Sequence, residues 1–178
     1  MTFVVVTGGP GAGKSTLIDG LEAAGFRRTE EAGRAIIQDQ VAIGGPALPW
    51  LDPALFAEVM LQWELRSHRA AQDEEGPVFF DRGVPDVVGY LRLEGRPVPA
   101  HVDAAAKSFR YHHEVFVAPP WPEIFENDAE RRQTLEEASL TYDRVTEAYL
   151  DYGYSLVELP RLAVRERVGF VLRHLRRA

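Results

Sequence analysis

The 178-residue chain contains no cysteine. Disulfides and thiolate metal sites are therefore excluded, and a reducing, cytoplasmic setting is the expectation. Lysine is nearly missing as well: of 20 basic side chains, only Lys14 and Lys107 are lysines. No apolar run approaches the roughly 20 residues of a membrane span, so no membrane association is expected. The opening stretch from Met1 to Thr7 lacks the positive charge and cleavage site of a secretory leader. Basic charge is short overall, with 20 Lys and Arg against 27 Asp and Glu and a formal net charge of −7. That balance makes nucleic acid an unlikely partner, because its binders usually present a basic face.

One basic cluster stands out near the end: Arg161, Arg165, Arg167, Arg173, Arg176 and Arg177. It is interleaved with Val164, Val168, Val171, Leu172 and Leu175 at helical spacing. These arginines are expected on the wet side of a terminal helix, complementing its carboxyl end.

What is present is a soluble globular composition, 46% hydrophobic and 26% charged. There is no internal repeat or linker, so residues 1–178 read as one domain. Strands and helices alternate. Phe3 to Thr7 is a β-branched apolar run, as expected of a strand buried on both faces. A helix from about Lys14 to Ala24 follows, closed by Gly25. A second strand spans roughly Phe26 to Glu30. The next helix carries Ala32, Ala35, Ile36 and Val41 and breaks at Gly44-Gly45-Pro46.

Asp52 and Pro53 mark another helix start, with Leu51 and Phe56 at staple spacing. Its apolar side uses Leu55, Phe56, Val59, Met60 and Trp63. Further strands are expected at Val78 to Asp81, Glu114 to Ala118 and Tyr154 to Leu159. A short helix is expected near Pro85-Asp86. A long one spans about Gln133 to Tyr152, with Leu140, Val145, Ala148, Tyr149 and Tyr152 in the core. Five strands separated by helices predict a five-stranded parallel sheet in a three-layer α/β fold.

The sharpest motif is Gly8-Gly9-Pro10-Gly11-Ala12-Gly13-Lys14-Ser15, directly after the first strand and opening a helix. In that context it reads as a P-loop. Its glycines let successive N–H groups turn toward phosphate oxygens, and the helix adds its positive end. Lys14 is assigned to the outer phosphates of ATP, Ser15 to Mg²⁺, and Thr16 to an inner phosphate. A compact ammonium suits that cradle better than a planar guanidinium, which explains lysine in an arginine-rich chain.

Ligands of open α/β sheets bind beyond the carboxyl ends of the strands. Asp81 ends the third strand, where it can organise Mg²⁺ or accept the proton of an attacking hydroxyl. Arg82 follows it instead of the glutamate that activates water in motor ATPases, which suits transfer to a bound hydroxyl. Glu31 and Arg34 share one helix face at the end of the second strand. They are candidates to hold an acceptor, against the alternative of a surface ion pair. Arg131 and Arg132 lie in a lid-like segment, about 121–133, from which they can reach a transferring phosphoryl group.

With these motifs placed, the chain resembles small bacterial P-loop proteins grouped with AAA-type ATPases but kinase-like in their core. It is similar to the ribosylnicotinamide kinase domain of the bifunctional NAD-biosynthesis regulator. The resemblance rests on Thr7 through Thr16, Glu31-Ala32-Gly33-Arg34 and Phe80 through Asp86. Asp128 to Arg132 and Tyr149 to Pro160 extend it. It implies ATP as donor, an acceptor and phosphate role for Asp81 and Arg82, a lid role for Arg131 and Arg132, and a strand-end acid at Glu31.

The leading expectation is a phosphotransferase that moves the ATP γ-phosphoryl group to a hydroxyl of a small molecule. The alternatives are a nucleotide-dependent switch or slow NTPase acting through a protein partner, and a nucleic-acid end kinase, which the acidic balance disfavours. The absence of an Asn-Lys-x-Asp run favours ATP over GTP. Acceptor identity and oligomeric state are left open.

Overall fold

The computed structural model describes residues 2–125 and 134–176. Five parallel strands form one sheet in the order β2-β3-β1-β4-β5. They are β1 (Thr2–Gly8), β2 (Arg27–Arg28), β3 (Pro77–Asp81), β4 (Glu114–Ala118) and β5 (Ser155–Glu158). The expected parallel sheet is therefore present. The strand order reverses across β1, which places the crevice for ligands at the end of β1. Register sets the residues there: Val6 pairs with Asp81, and Gly8 pairs with Ala118.

The helices are α1 (Lys14–Ala23), α2 (Ala32–Ile43), α3 (Pro53–Ala70), α4 (Val84–Leu93), α5 (Ala100–Ser108), α6 (Leu135–Asp151) and α7 (Val164–Leu175). Alternation along β1 divides them into two layers. Val4 and Val6 pack with Leu17, Ile18 and Leu21 of α1 and Val171 of α7. Val5 points the other way, toward Leu61 of α3, Val88 of α4, Ala106 of α5 and Tyr149 of α6. This is the three-layer arrangement that a strand buried on both faces demands. A third cluster joins Ile36 and Ile37 of α2 to Phe56 of α3.

Helix signals in the sequence hold in part. Asp52 caps α3 by accepting the Leu55 N–H at 3.0 Å. Gly25, at φ 92°, closes α1, with the Phe26 N–H reaching the Leu21 carbonyl at 3.2 Å. The staple does not form, because Leu51 stays exposed while Phe56 is buried. Leu55, Val41 and Leu140, expected to face the core, are exposed too. Strand β2 is shorter than expected: it is an edge strand paired only with Val78 and Phe79 of β3. Helix α5 was not expected at all; its Ala-rich run carries little periodicity, and burial of Val102, Ala105 and Ala106 against the core holds it. Among the described residues no helix is long and apolar enough to cross a membrane.

Candidate active site

The P-loop wraps the end of β1 because its glycines permit two close approaches. Gly8 has φ 132°, and a Cβ there would lie 2.3 Å from the Ala118 carbonyl oxygen. Gly13 has φ 72°, and a Cβ there would lie 2.8 Å from Arg167 Nη1. Neither position accepts a side chain without displacing a neighbour. Lys14 begins α1 and is buried, with Nζ donating to the Gly9 carbonyl at 2.6 Å. Pro10, Gly11, Ala12, Gly13, Lys14, Ser15 and Thr16 line a cavity of about 660 Å³. Gly8 and Gly9 lie buried behind that wall.

Arg82 is the one non-glycine residue with positive φ, 75°, among the described residues. That left-handed backbone is costly for a side-chain-bearing residue and marks a position held by its surroundings. The holding contacts are clear. Arg82 Nε donates to Glu31 Oε1 at 3.1 Å, and Nη1 donates to the Gly8 carbonyl at 3.0 Å and to Asp86 Oδ1 at 3.2 Å. Burial disfavours the charged guanidinium, but Glu31, Asp86 and Asp81 outweigh it and hold the proton firmly.

Asp86, in the first turn of α4, is a second hub. Its carboxylate accepts from the Thr7 hydroxyl at 2.5 Å, the Tyr149 hydroxyl at 2.7 Å and the Gly83 N–H at 3.0 Å. Thus β1, α4 and α6 meet at one buried carboxylate.

Asp81 is buried at 4% exposure, and its Oδ1 has no hydrogen-bond partner. Its pKa is raised to about 6, first by burial and then by Glu31, with Lys14 and Arg82 opposing. It lines neither this cavity nor the next one.

A second cavity, about 300 Å³, opens beside the first. Arg82, Asp86, Glu64, Phe56, Tyr90 and Trp50 line it. Glu31 and Pro10 line both cavities, so the two spaces adjoin at these residues. Glu31 sits at the N-cap position of α2, and Arg34 follows in the first turn, lining the larger cavity only. Arg131 and Arg132, with most of the lid-like segment, lie outside the described residues.

Two site residues escaped sequence reasoning. Arg167 was expected in water but is buried, donating from Nη1 to the Gly13 carbonyl at 2.9 Å. Its guanidinium carbon lies 5.6 Å from the Trp121 ring centre, and both residues line the larger cavity. The signal was present: Arg167 falls three residues after Val164 and four before Val171, on the stripe that packs inward. Glu64 is buried at 3% exposure, three residues after Leu61 and four before His68 on the inner stripe of α3. Burial raises its pKa well above the ordinary value, aided by Asp86 and Asp81.

A sequence profile described as an AAA domain matches residues 3–167. The chain belongs to this family. Among solved structures it is similar to a deoxyadenosine kinase from M. mycoides with products dCMP and a flexible dCDP bound. That match has a TM-score of 0.71 and 14% identity over 99% of this chain and 100% of the other. The same enzyme with bound dATP aligns at a TM-score of 0.62 and 13% identity, over 98% and 100% of the two chains. NadR protein in complex with NR aligns at 0.67 and 17% identity, over 98% of this chain and 50% of NadR. No curated protein matches the sequence significantly. At these identities the likeness establishes the fold, a P-loop fold of the nucleoside-kinase kind.

Proposed function

We propose that this AAA-family protein is an ATP-dependent phosphotransferase that moves the γ-phosphoryl group to a hydroxyl of a small, nucleoside-like acceptor. The observation that carries this reading is the junction of two cavities at Glu31. The larger holds the P-loop and suits the donor. The smaller, walled by aromatic and carboxylate side chains, is of the size of a small-molecule site. A switch or slow NTPase needs no such second seat beside its phosphates. Both nucleoside kinases and NadR among the fold neighbours take the same direction.

In the transfer, the acceptor oxygen bonds to the γ-phosphorus as the bond to the departing ADP oxygen breaks. The hydroxyl proton passes to Glu31, which Arg82 orients at 3.1 Å. Lys14 exchanges the Gly9 carbonyl for phosphate oxygens, and P-loop N–H groups receive the developing charge. Arg131 and Arg132 keep their assignment as lid arginines, and Arg34 faces the phosphates from the larger cavity.

A divalent cation fits the donor groups. The Ser15 side chain is exposed in the cavity, and the Asp81 carboxylate is buried with an unpartnered oxygen and feels Lys14. Among the described residues no three His, Asp or Glu side chains gather as a cage. Mg²⁺ suits that pattern, since it keeps waters and takes substrate phosphates alongside one or two protein ligands. Ser15 would ligate it directly and Asp81 through water; when bound it neutralises phosphate charge. Of the two roles open to Asp81, action through water needs no direct contact with either ligand, which suits a carboxylate that lines neither cavity.

The test is ADP release measured against a panel of nucleosides and other hydroxyl acceptors, with the product identified by mass. Acceptor-dependent release with a phosphorylated product supports the reading. Phosphate release indifferent to every acceptor overturns it in favour of an NTPase.

A further inference from the structure

Helix α3 stands between two cavities. Phe56, Met60 and Glu64 line the acceptor cavity, whereas Trp63, Arg66, Ser67 and Ala70, on the neighbouring stripe, line a third cavity of about 370 Å³. The exit of β2 is divided in the same way. Arg27 to Glu30 line the third cavity, and Glu31 to Gly33 line the acceptor cavity. The volume is that of a small-molecule site, and phosphoryl transfer makes no use of it.

Its lining is positive in a chain whose net charge is −7. Arg27, Arg28 and Arg66 stand against Glu30 and Glu74. Arg27 meets Glu74 at 3.3 Å and Arg28 meets Glu22 at 3.0 Å, both pairs partly open to water. Such pairs hold weakly, so a phosphate can draw these guanidiniums to itself. Arg66 makes no hydrogen bond or ion pair with a described residue. Trp63 lies one turn before it, half-buried and packed against the cluster of Ile36, Ile37 and Phe56. A fixed ring beside a forked cation supplies a stacking wall and an anion clamp together.

The third cavity also touches the strand ends that serve the reaction. Thr29, in its wall, accepts the Asp81 N–H on its hydroxyl at 3.3 Å and donates its own N–H to the Phe79 carbonyl at 2.9 Å. Two residues on, Glu31 borders the donor cavity. We infer that the third cavity is an effector site for a small phosphate-bearing molecule with a planar ring. Arg66, Arg27 and Arg28 hold the phosphate, Trp63 holds the ring, and Thr29 carries occupancy to Asp81 and Glu31.

Calorimetry on the full chain tests this with naphthyl phosphate, alone and with the P-loop saturated by a non-hydrolysable ATP analogue and Mg²⁺. Naphthyl phosphate should bind in both states, with affinities that differ about fivefold or more. Naphthol, the same ring without the charge, should bind at least about tenfold more weakly. Arg66→Ala should cost naphthyl phosphate a similar factor; Arg66 is exposed, so the fold tolerates its loss. Four results overturn the inference: no binding of naphthyl phosphate, equal binding of naphthol, unchanged affinity in Arg66→Ala, or full displacement by the analogue. Equal affinity with and without the analogue overturns the effector role as well. Phosphate release indifferent to every acceptor sinks the kinase reading alone, since these titrations require no phosphoryl transfer.

Discussion

Arg82 and Glu31 are 51 residues apart in sequence, yet Nε and Oε1 meet at 3.1 Å with both side chains nearly buried. The pair bolts the start of α2 to the exit of β3, under the P-loop carbonyl of Gly8. Removing the guanidinium takes a counter-charge away from two nearly buried carboxylates, Glu31 and Asp86. Arg82→Ala should therefore lower stability by about 3 kcal/mol in urea denaturation. Arg82→Lys should recover little, because one ammonium cannot reproduce the forked contacts.

Lys14 anchors the donor half. Lys14→Ala should abolish measurable ATP binding in calorimetry while leaving the melting temperature within a few degrees of wild type. Retained nucleotide affinity would contradict the assignment of the P-loop.

Asp81 gives a pH signature with a defined sign. Its pKa is raised from 3.8 to about 6 by burial and by Glu31. The folded protein therefore holds this proton more tightly than the unfolded chain does. Stability from Asp81 is full below pH 4 and is lost as pH rises through about 6. Asp81→Asn should melt higher than wild type at pH 8 in nucleotide-free protein, and the advantage should vanish near pH 4. The same variant should lose Mg²⁺-dependent turnover. A variant that melts lower at pH 8 would contradict a carboxylate whose charged form burial disfavours.

Arg167 reaches the P-loop from α7 and faces Trp121 in the donor cavity. Arg167→Met should raise KM for ATP by about tenfold with a smaller change in kcat, since one charge-assisted contact is lost from binding. A fall confined to kcat would place Arg167 elsewhere in the reaction.

Much of this was legible in the residues. The run Val4-Val5-Val6 followed by the glycine loop announced a buried parallel strand delivering a phosphate cradle, because both signals are local. Asp81, Arg82 and Glu31 were legible as strand-end residues. That Glu31 would line both cavities, Arg82 only the smaller and Asp81 neither was not, since that depends on packing between α2, α3 and α4. Glu64 and Arg167 were hidden by the habit of placing charges in water. Each breaks an apolar helical stripe, and only the tertiary structure shows that the break opens into a cavity. Leu140 and Leu51 failed in the other direction: their spacing fitted a core face, but among the described residues they stay exposed.

The central claim is that donor and acceptor meet at Glu31. The most direct measurement is acceptor-dependent ADP release by wild type and Glu31→Gln, with nucleotide affinity measured alongside. The account expects wild-type release to require the acceptor. It expects Glu31→Gln to cut kcat by about 10²- to 10⁴-fold while ATP still binds. Undiminished acceptor-dependent turnover in Glu31→Gln, or wild-type turnover that ignores the acceptor, would contradict it.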